Sequence, residues 1–403
     1  MVMSNNVTSV AKKDIIMLDV GVDTEDLAED NQFDFEALKK NYLNNMISWS
    51  FLKKLAEYNQ WPLGCIANFI DNSIKPEVSA KSIDIEVNAY DKKVYTRENI
   101  NGNYRISNNT DTSNKIVVLS ISDDGKGISA KEFNQILYSF SVNDKKEFNF
   151  FKYGISLKAS ALRLANSLFM ISKTSNEISI GLISKNLQIK MDTDFILTPV
   201  INYAYEGNKY YPKSNFSQQS LNIILNEIKF LYQDCDKLFD YIESFETGTH
   251  MYLYDLKQIS SNKNDLNKLC NYELLFDFSE RDILFNCFES QIEDRRFIDA
   301  SLLNYLKFLY LEEPNVEINL MGRKVDMSNP YIKVFKNAKE TNNVPKVNSS
   351  LKFDTSDSDI ALIDNDIYKG VIFNKNFFNN LKLESNCFNG ILLYKDKRLI
   401  SRF

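Results

Sequence analysis

The spacing of apolar residues predicts a helix between Trp61 and Pro76, in the segment WPLGCIANFIDNSIKP. Pro62 suits the first turn of a helix, where its missing N–H leaves no bond unmade, and Pro76 marks where the helix must end. Asn68 and Asn72 are four residues apart, so they share one helical face, opposite the apolar stripe. The residues that recur at helical spacing and predict the buried face are Leu63, Ile66, Ala67, Ile70 and Ile74.

Polar and apolar residues alternate in three later segments, and this alternation predicts strands at 82–90, 115–124 and 248–256. The second of these strands ends in a glycine turn, DDGKG. The remaining pattern predicts an asparagine-rich loop after the first strand, a helix at 129–138 and a loop at 139–150. It then predicts a helix running into a strand at 158–173, a strand meander at 176–194 and one long helix at 218–242.

The length of 403 residues predicts two domains. We expect an acidic, loosely ordered tail over residues 1–40, a first domain over 41–262 and a second over 263–403. The boundary is placed near residue 263 because a polar stretch follows it to about residue 280. For the second domain the pattern predicts a helix at 299–311, short strands and a polar loop at 347–367.

The composition narrows the possible chemistry. Hydrophobic residues make up 44% of the chain and charged residues 25%, which predicts a soluble globular protein. The net charge of −6, with Lys and Arg spread thinly, argues against a dedicated nucleic-acid surface. No apolar run is long enough to span a membrane, and no signal-peptide core is present, so we expect an intracellular protein.

Histidine and cysteine chemistry has little material in this sequence. His250 is the only histidine, which leaves no histidine-based triad or histidine-rich metal site. The cysteines lack CxxC spacing, so buried free thiols are expected rather than structural zinc or disulfides. The five are Cys65, Cys235, Cys270, Cys287 and Cys387.

Three segments far apart in the sequence together resemble the nucleotide pocket of GHKL ATPases. They are IDNS at 70–73, ISDDGKG at 121–127 and KYGISLKASALRL at 152–164. Taken singly, each has a plainer explanation: paired asparagines commonly lie on a solvated helix face, and a DxGxG turn is commonly just a hairpin loop. Their order and spacing, with the glycine turn directly after a strand, favour the nucleotide pocket.

The resemblance implies that one end of this pocket binds adenine. Asp123, at a strand end, would accept a hydrogen bond from the exocyclic amine of the base. Gly125 and Gly127, followed by Ile128, would let the backbone approach the purine closely. Thr249 is similar to the threonine that lies behind the adenine-binding Asp in this superfamily.

The other end would hold the phosphates. Asn72 would offer its carbonyl oxygen to a Mg²⁺ that also binds the phosphates, since Mg²⁺ prefers hard oxygen ligands and keeps several waters. Lys158 and the loop Lys152–Leu157, which contains Gly154, lie at the N-terminus of a helix. Free N–H groups and the helix dipole favour an anion there.

A closer resemblance is to the microrchidia (MORC) family. YNQWPLGCIANFIDNS is similar to the tryptophan-led opening motif of that family, and GTHMYLYDL, SLLNYLKFLYL, VEINLMGRKV and GILLYKDKRLI match later segments in order, over roughly residues 55–403. The resemblance implies a Bergerat-type ATP-binding α/β sandwich followed by a second α/β domain of the gyrase and mismatch-repair transducer type. It also implies ATP and Mg²⁺ as ligands, an ATP-dependent homodimer, a role on chromatin or DNA, and a nuclear location.

The sequence departs from the family where hydrolysis is expected. Asn68 stands in place of the catalytic glutamate, and an amide accepts no proton at neutral pH. Phe151 and Ser156 stand where the glycine-rich lid has glycines, and only Gly154 remains. Asp71 adjoins the pocket helix and is interpreted as structural.

The second domain carries one more departure. The family's lysine after RLI, which reaches toward the nucleotide, is replaced by Ser401. Lys395 and Lys397 lie nearby in the sequence and are candidates to substitute for it.

Three hypotheses follow from these residues. The chain is an ATP-binding, ATP-gated dimerisation module with little or no turnover, or an active ATPase that uses another base, or a scaffold that no longer binds nucleotide. The retained binding residues argue against the scaffold, and Asn68 argues against the active ATPase. A heat-shock-chaperone or mismatch-repair identity is the alternative within the same fold.

Overall fold

A nine-stranded sheet is the largest unit of the computed structural model. The structure describes residues 48–58, 61–91, 115–138, 154–190, 194, 196–206, 209–213, 217–258, 272–285, 300–329, 346–347, 360–364, 369–373, 392–395 and 398–402. The predicted N-terminal tail, the asparagine-rich loop and the loop at 139–150 lie outside these ranges.

The first half of the chain alternates helices with strands. In order, its elements are α1 (Trp49–Tyr58), α2 (Pro62–Ile74), β1 (Ser82–Asp91), β2 (Lys115–Asp123), α3 (Ala130–Tyr138), α4 (Ile155–Leu164), β3 (Ala165–Lys173), β4 (Glu177–Ser184), α5 (Lys185–Lys190), β5 (Val200–Glu206), β6 (Lys209–Pro212), α6 (Ser217–Ile228), α7 (Cys235–Glu243) and β7 (Gly248–Leu256).

Short strands and one helix follow. They are β8 (Leu274–Asp277), β9 (Asp282–Phe285), α8 (Leu302–Leu309), β10 (Glu317–Leu320), β11 (Arg323–Lys324), β12 (Lys346–Val347), β13 (Ile360–Asp364), β14 (Lys369–Phe373), β15 (Leu392–Lys395) and β16 (Arg398–Arg402). None of the helices in the described part of the chain has the length and apolar character needed to cross a membrane.

The strand order of the main sheet is β11-β10-β1-β2-β7-β3-β4-β5-β6. Its pairs are antiparallel except for β1 and β10, which run parallel. Because β7 inserts between β2 and β3, it places Thr249 directly opposite Asp123. A strand from far along the chain thus completes the site that β2 begins.

Both faces of the sheet are covered, which explains the unbroken apolar run LFMI in β3. Leu168 and Met170 pack into a core with α1, α2 and α4, whereas Phe169 and Ile171 pack into a second core with α6 and α7. Successive side chains of a strand point to opposite faces, so a strand covered on both sides needs apolar residues at every position. The predicted α/β sandwich is confirmed.

Four details of the sequence-based prediction are wrong. Residues 185–190 form α5 rather than a strand, because the Ser184 hydroxyl accepts the Leu187 N–H and opens a helix. The long helix predicted at 218–242 is two helices, because the Asp234 side chain accepts the Lys237 N–H and caps the start of α7. The polar stretch before residue 280 contains strand β8, which pairs with β9 just beyond it, and the loop at 347–367 contains β13.

The region after residue 272 contributes to the main sheet. β10 pairs with β1 from Ser82↔Glu317 to Ile85↔Leu320, and β11 follows it at the sheet edge. The predicted boundary near residue 263 lies outside the described residues, and the two-domain division stays a prediction.

Candidate functional site

Helix α2 provides one wall of the site, and its predicted position is confirmed. Trp61 is its extended N-cap, Pro62 opens it, and it ends at Ile74 before Pro76. Asn68 and Asn72 are partly exposed on the face away from the core. The buried face consists of Leu63, Cys65, Ile66, Ala67, Phe69, Ile70 and Ser73.

The Asp123 carboxylate lies at the end of β2 and is only 5% exposed. Its Oδ2 accepts the Ser73 hydroxyl at 2.8 Å, and its Oδ1 accepts the Gly125 N–H at 3.0 Å. Burial raises the pKa of Asp123, and the bonds from Ser73, Gly125 and the Thr249 backbone oppose that rise. The carboxylate is therefore fixed in orientation from three sides and retains accepting capacity for a ligand.

Glycines let the turn after β2 pack directly against neighbouring protein atoms. A Cβ at Gly125 would lie 2.6 Å from Val78 Cγ1 and 2.9 Å from Asp123 Oδ1. Gly127 has a φ of +74°, and a Cβ there would lie 2.2 Å from the Lys173 carbonyl oxygen. The turn after β2 thus accepts only glycine at these positions, because its backbone packs closely on Val78 and on the Lys173 backbone.

Ser172 of β3 connects the two other residues predicted at this end. Its hydroxyl lies 3.2 Å from Thr249 Oγ1 and accepts the Ile128 N–H at 2.7 Å. The structure therefore brings Ile128 and Thr249 together around one buried serine, and Thr249 pairs with Asp123 between β7 and β2.

Ser73 and Ser172 are site residues that the sequence analysis did not identify. Ser73 follows Ile66 and Ile70 at the next position of the apolar stripe, so a polar residue at a buried helical position was a signal for it. No comparable local signal marks Ser172, since serines also occupy buried positions of β4.

The Asn68 amide joins α2 to α4. Its Nδ2 donates to the Ser160 hydroxyl at 2.9 Å, and Ser160 is fully buried. This bond fixes the amide on the helix face that the resemblance assigns to a catalytic glutamate. An amide in this position can orient a water but cannot take its proton.

Asn72 is one turn further along the same face. Its Oδ1, the atom predicted to bind Mg²⁺, accepts the ammonium of the exposed Lys75 at 2.9 Å. A cation already lies against this oxygen, so the position attracts positive charge. Within the described ranges no group of three or more His, Cys, Asp or Glu side chains could hold a metal ion. One amide oxygen fits a Mg²⁺ whose other ligands are phosphates and waters.

Lys158 lies in α4, whose N-cap is Gly154 in the left-handed conformation. Its side chain is fully buried, and its ammonium donates to the Ile136 carbonyl oxygen at 2.7 Å. Burial lowers the pKa of Lys158 to about 7. A Cβ at Gly154 would lie 2.7 Å from that same carbonyl oxygen. The lysine contacts protein here, and its binding to phosphate stays a prediction.

The residues predicted from the second domain lie on one hairpin. Leu393 of β15 pairs with Ser401 of β16, and Lys395 pairs with Arg398. Lys397 and Phe151 fall outside the described residues. Asp71, interpreted as structural, forms an ion pair with Arg398 at 2.9 Å.

Comparison with known proteins identifies the class of the segment that carries most of these residues. Residues 62–206 match the family model of histidine kinase-, DNA gyrase B- and HSP90-like ATPases. This segment contains α2, the glycine turn after β2 and α4, which are the elements that the site is built from. The chain therefore carries an ATPase domain of the GHKL class, as its residues predicted.

The more particular resemblance is also confirmed. The chain is 23% identical over 376 residues to "MORC family CW-type zinc finger protein 3" of Mus musculus, covering 88% of this chain and 33% of that protein. It is 26% identical over 303 residues to "Protein MICRORCHIDIA 5" and 24% over 307 residues to "Protein MICRORCHIDIA 6", both of Arabidopsis thaliana. The two alignments cover 68% and 72% of this chain. They cover 38% and 42% of those two relatives, so the chain spans less than half the length of each.

Proposed function

We propose that this chain is a MORC-like ATP-binding module that dimerises when ATP binds and hydrolyses ATP slowly or not at all. The observation that carries the proposal is the Asp123 carboxylate, buried and oriented by Ser73 and Gly125. We further propose that it acts in the nucleus, in chromatin or DNA organisation or gene silencing, which rests on the family resemblance alone.

Adenine binding follows from the chemistry of Asp123. A carboxylate only accepts hydrogen bonds, and the exocyclic amine of adenine donates them. The bonds from Ser73 and Gly125 hold the carboxylate in one orientation before any ligand arrives, which reduces the entropy lost on binding. A side chain at Gly125 would clash with Oδ1 and with Val78, so only glycine lets the turn donate its N–H to the carboxylate. The arrangement selects a flat ligand that presents an N–H donor.

Phosphate binding is assigned to the exposed face of α2 and to the start of α4. Asn72 would contribute one oxygen to Mg²⁺, which when bound neutralises phosphate charge. The first turn of α4 offers backbone N–H groups, and Lys158 lies one turn into that helix. The proposed ligand set is therefore ATP with Mg²⁺, with Lys395 and Lys397 as candidate contacts from the second domain.

Slow hydrolysis follows from Asn68. General-base assistance is typically worth about 10²–10⁴ in rate, and an amide supplies none of it. The Asn68 Nδ2 is bonded to Ser160, which orients the side chain without giving it basicity. Bound ATP would therefore remain unhydrolysed, so ATP itself would hold the dimer.

Titration with a fluorescent ATP analogue, with and without Mg²⁺, tests the binding proposal. We expect saturable binding that Mg²⁺ strengthens and that unlabelled ATP competes away. Absence of binding to protein whose circular dichroism shows a folded chain would support the scaffold hypothesis instead.

Light scattering with ATP and with ADP tests the gating proposal. We expect a dimer mass with ATP and a monomer mass with ADP or without nucleotide. A mass that stays monomeric with both, or dimeric without nucleotide, would contradict gating even if ATP binds.

A further inference from the structure

A cluster of four side chains joins the C-terminus of α7 to the end of β3 and the start of β7. It consists of Lys173 of β3, His250 of β7, Tyr241 of α7 and Phe245 just after that helix. The Tyr241 hydroxyl lies 2.6 Å from His250 Nδ1, and the Phe245 ring stacks on the imidazole with centroids 4.0 Å apart. We call these four residues the α7 cluster.

The Lys173 ammonium closes the C-terminus of α7. It donates to the carbonyl oxygens of Ile242 at 2.7 Å and Phe245 at 2.6 Å, and it lies 5.3 Å from the centroid of the Phe245 ring. The last carbonyls of a helix have no partner within the helix, and the helix dipole favours a cation there. Lys173 is only 8% exposed, so these bonds hold α7 against β3 away from water.

The α7 cluster adjoins the residues that lie behind Asp123. Lys173 and His250 each directly follow a residue of the candidate site, Ser172 and Thr249. Successive side chains of a strand point to opposite faces, so the α7 cluster lies on one face of the sheet and the site residues lie on the other. Ser172 pairs with Thr249 between β3 and β7, and the Thr249 backbone bonds to the Asp123 carboxylate. A shift of the α7 cluster therefore moves the backbone that Asp123 contacts.

We propose that Tyr241 and His250 are positioning residues for base recognition. Their hydrogen bond fixes the start of β7, and through the Thr249 backbone it fixes the orientation in which Asp123 distinguishes adenine from hypoxanthine. Hypoxanthine has a carbonyl oxygen where adenine has its exocyclic amine, and a carboxylate that only accepts hydrogen bonds attracts the amine and repels the oxygen. This inference deepens the proposed function and rests on it, because it needs a purine bound beside Asp123.

The test compares the affinities of ADP and inosine diphosphate, measured by calorimetry with Mg²⁺. The two ligands carry the same phosphates, so the ratio of their affinities reports the base alone. Wild-type protein should bind ADP more tightly. Tyr241→Phe keeps the ring and removes the hydroxyl, and it should lower the ratio about threefold or more, within the range of couplings that packed networks carry. The affinity for inosine diphosphate should stay unchanged.

His250→Phe is the second variant, in case Tyr241→Phe does not fold. It keeps a ring stacked on Phe245 and removes Nδ1, so it should give the same loss. The double variant should lose no more than either single variant, because both substitutions break one hydrogen bond. Additive losses would show that the two residues act separately and would contradict the proposal.

Tyr210→Phe is the matched control. The Tyr210 hydroxyl of β6 donates to Glu243 Oε1 at 3.0 Å, so it also joins α7 to the sheet. Three strands separate β6 from β7 in the sheet. Losing this hydroxyl should lower thermal stability and leave the affinity ratio unchanged. A purely structural role for Tyr241 would do the same.

His250 allows a second measurement, because it is the only histidine in the chain. Labelling histidine with ¹⁵N yields the NMR signals of one imidazole. Burial lowers the pKa of His250 to about 4, so at neutral pH these signals report its surroundings rather than its titration. ADP should shift them, whereas inorganic pyrophosphate with Mg²⁺ should not. Signals that ADP leaves in place would contradict the link between His250 and the base.

The outcomes separate this inference from the function that it rests on. Wild-type protein that binds neither nucleotide contradicts the proposed function, and the inference falls with it before any variant is compared. Equal wild-type affinity for the two nucleotides, an unchanged ratio in Tyr241→Phe and His250→Phe, or an equal loss in Tyr210→Phe overturns the inference and leaves nucleotide binding intact.

Discussion

The two ends of the candidate site differ in what their polar groups contact. At the Asp123 end, protein bonds orient a carboxylate that still has accepting capacity, and glycines let the turn pack closely on it. At the other end, Asn72 contacts Lys75 and Lys158 contacts the Ile136 carbonyl. The first end is organised for a ligand as it stands, whereas the second must exchange protein contacts for ligand contacts.

This difference teaches where the free energy of binding arises. Preorganised groups contribute affinity because they lose little on binding, whereas groups that first break a protein contact contribute less. We therefore expect contacts with adenine to supply most of the binding affinity. Contacts with the phosphates should mainly change the contacts of the protein. Each prediction below alters one end and measures the effect expected of that end.

The largest expected effect is at the phosphate end. Asn68→Glu places a carboxylate where the resemblance expects one, and the Ser160 hydroxyl remains available to orient it. ATP turnover, measured as phosphate release, should rise at least tenfold from a low wild-type rate, since a general base is worth about 10²–10⁴. Adding Ser401→Lys should raise it further, because a cation stabilises the transferring phosphate.

Asn68→Gln is the control for side-chain length without charge and should stay at the wild-type rate. Brisk wild-type turnover that Asn72→Ala abolishes would instead show that another residue is the base, as the active-ATPase hypothesis holds.

The next effect is at the adenine end. Asp123→Asn replaces an acceptor by a mixed donor and acceptor and removes a charge-assisted hydrogen bond, a loss of roughly 1.5–3 kcal/mol. ATP and ADP affinity should both fall about tenfold or more in the fluorescence titration, since 1.4 kcal/mol is a factor of ten. Unchanged affinity in the folded variant would favour the scaffold hypothesis.

Asp282 provides a matched control for that variant. It is also a buried carboxylate, and it accepts the Ser301 hydroxyl and the backbone N–H groups of Ile283 and Leu303. Asp282→Asn should lower stability while leaving nucleotide affinity unchanged.

A smaller effect is expected on stability. Gly127→Ala puts a Cβ at a φ of +74° and 2.2 Å from the Lys173 carbonyl oxygen, so the turn must shift. A strained residue of this kind costs of order 1–3 kcal/mol, which thermal unfolding would detect. Gly64→Ala, inside α2, should be close to neutral, because better helix propensity offsets a Cβ 3.2 Å from the Trp61 ring. Equal melting temperatures for the two variants would contradict the rigid turn.

The smallest expected effect is the uptake of a proton by Lys158 when ATP binds. Burial lowers the pKa of Lys158 to about 7, so at pH 8 the amine is mostly neutral, and an approaching phosphate favours its charged form. ATP binding at pH 8 should therefore take up a proton, up to about one, and affinity should fall as pH rises through 7. Calorimetry in two buffers of different ionisation enthalpy measures this uptake, and Lys158→Met should abolish it.

The stability of the free protein gives an independent check on the same lysine. The unfolded lysine titrates near 10.5, so between pH 7 and 10.5 the unfolded chain binds more protons. Stability should therefore rise with pH across that window relative to Lys158→Met. Binding enthalpies that do not depend on the buffer would show that Lys158 keeps its contact with Ile136 when ATP binds.

Local patterns predicted the elements of the site more successfully than their contacts. Helix α2, strands β1, β2 and β7 and the glycine turn were predicted because proline, alternation and glycine act within a few residues. The break between α6 and α7 was missed, although Asp234 carries a capping signal, because the apolar spacing continues through it.

The amino-acid sequence by itself determined which functional groups this site can use. It supplies Asp123 and the glycines beside it, and it places an amide rather than a carboxylate at Asn68, whatever the fold. Only the tertiary structure decided what those groups contact. Ser73 lies 50 residues from Asp123, and Arg398 lies 327 residues from Asp71. Such pairs meet because strands and helices distant in the chain pack on one sheet, which periodicity within single elements does not encode.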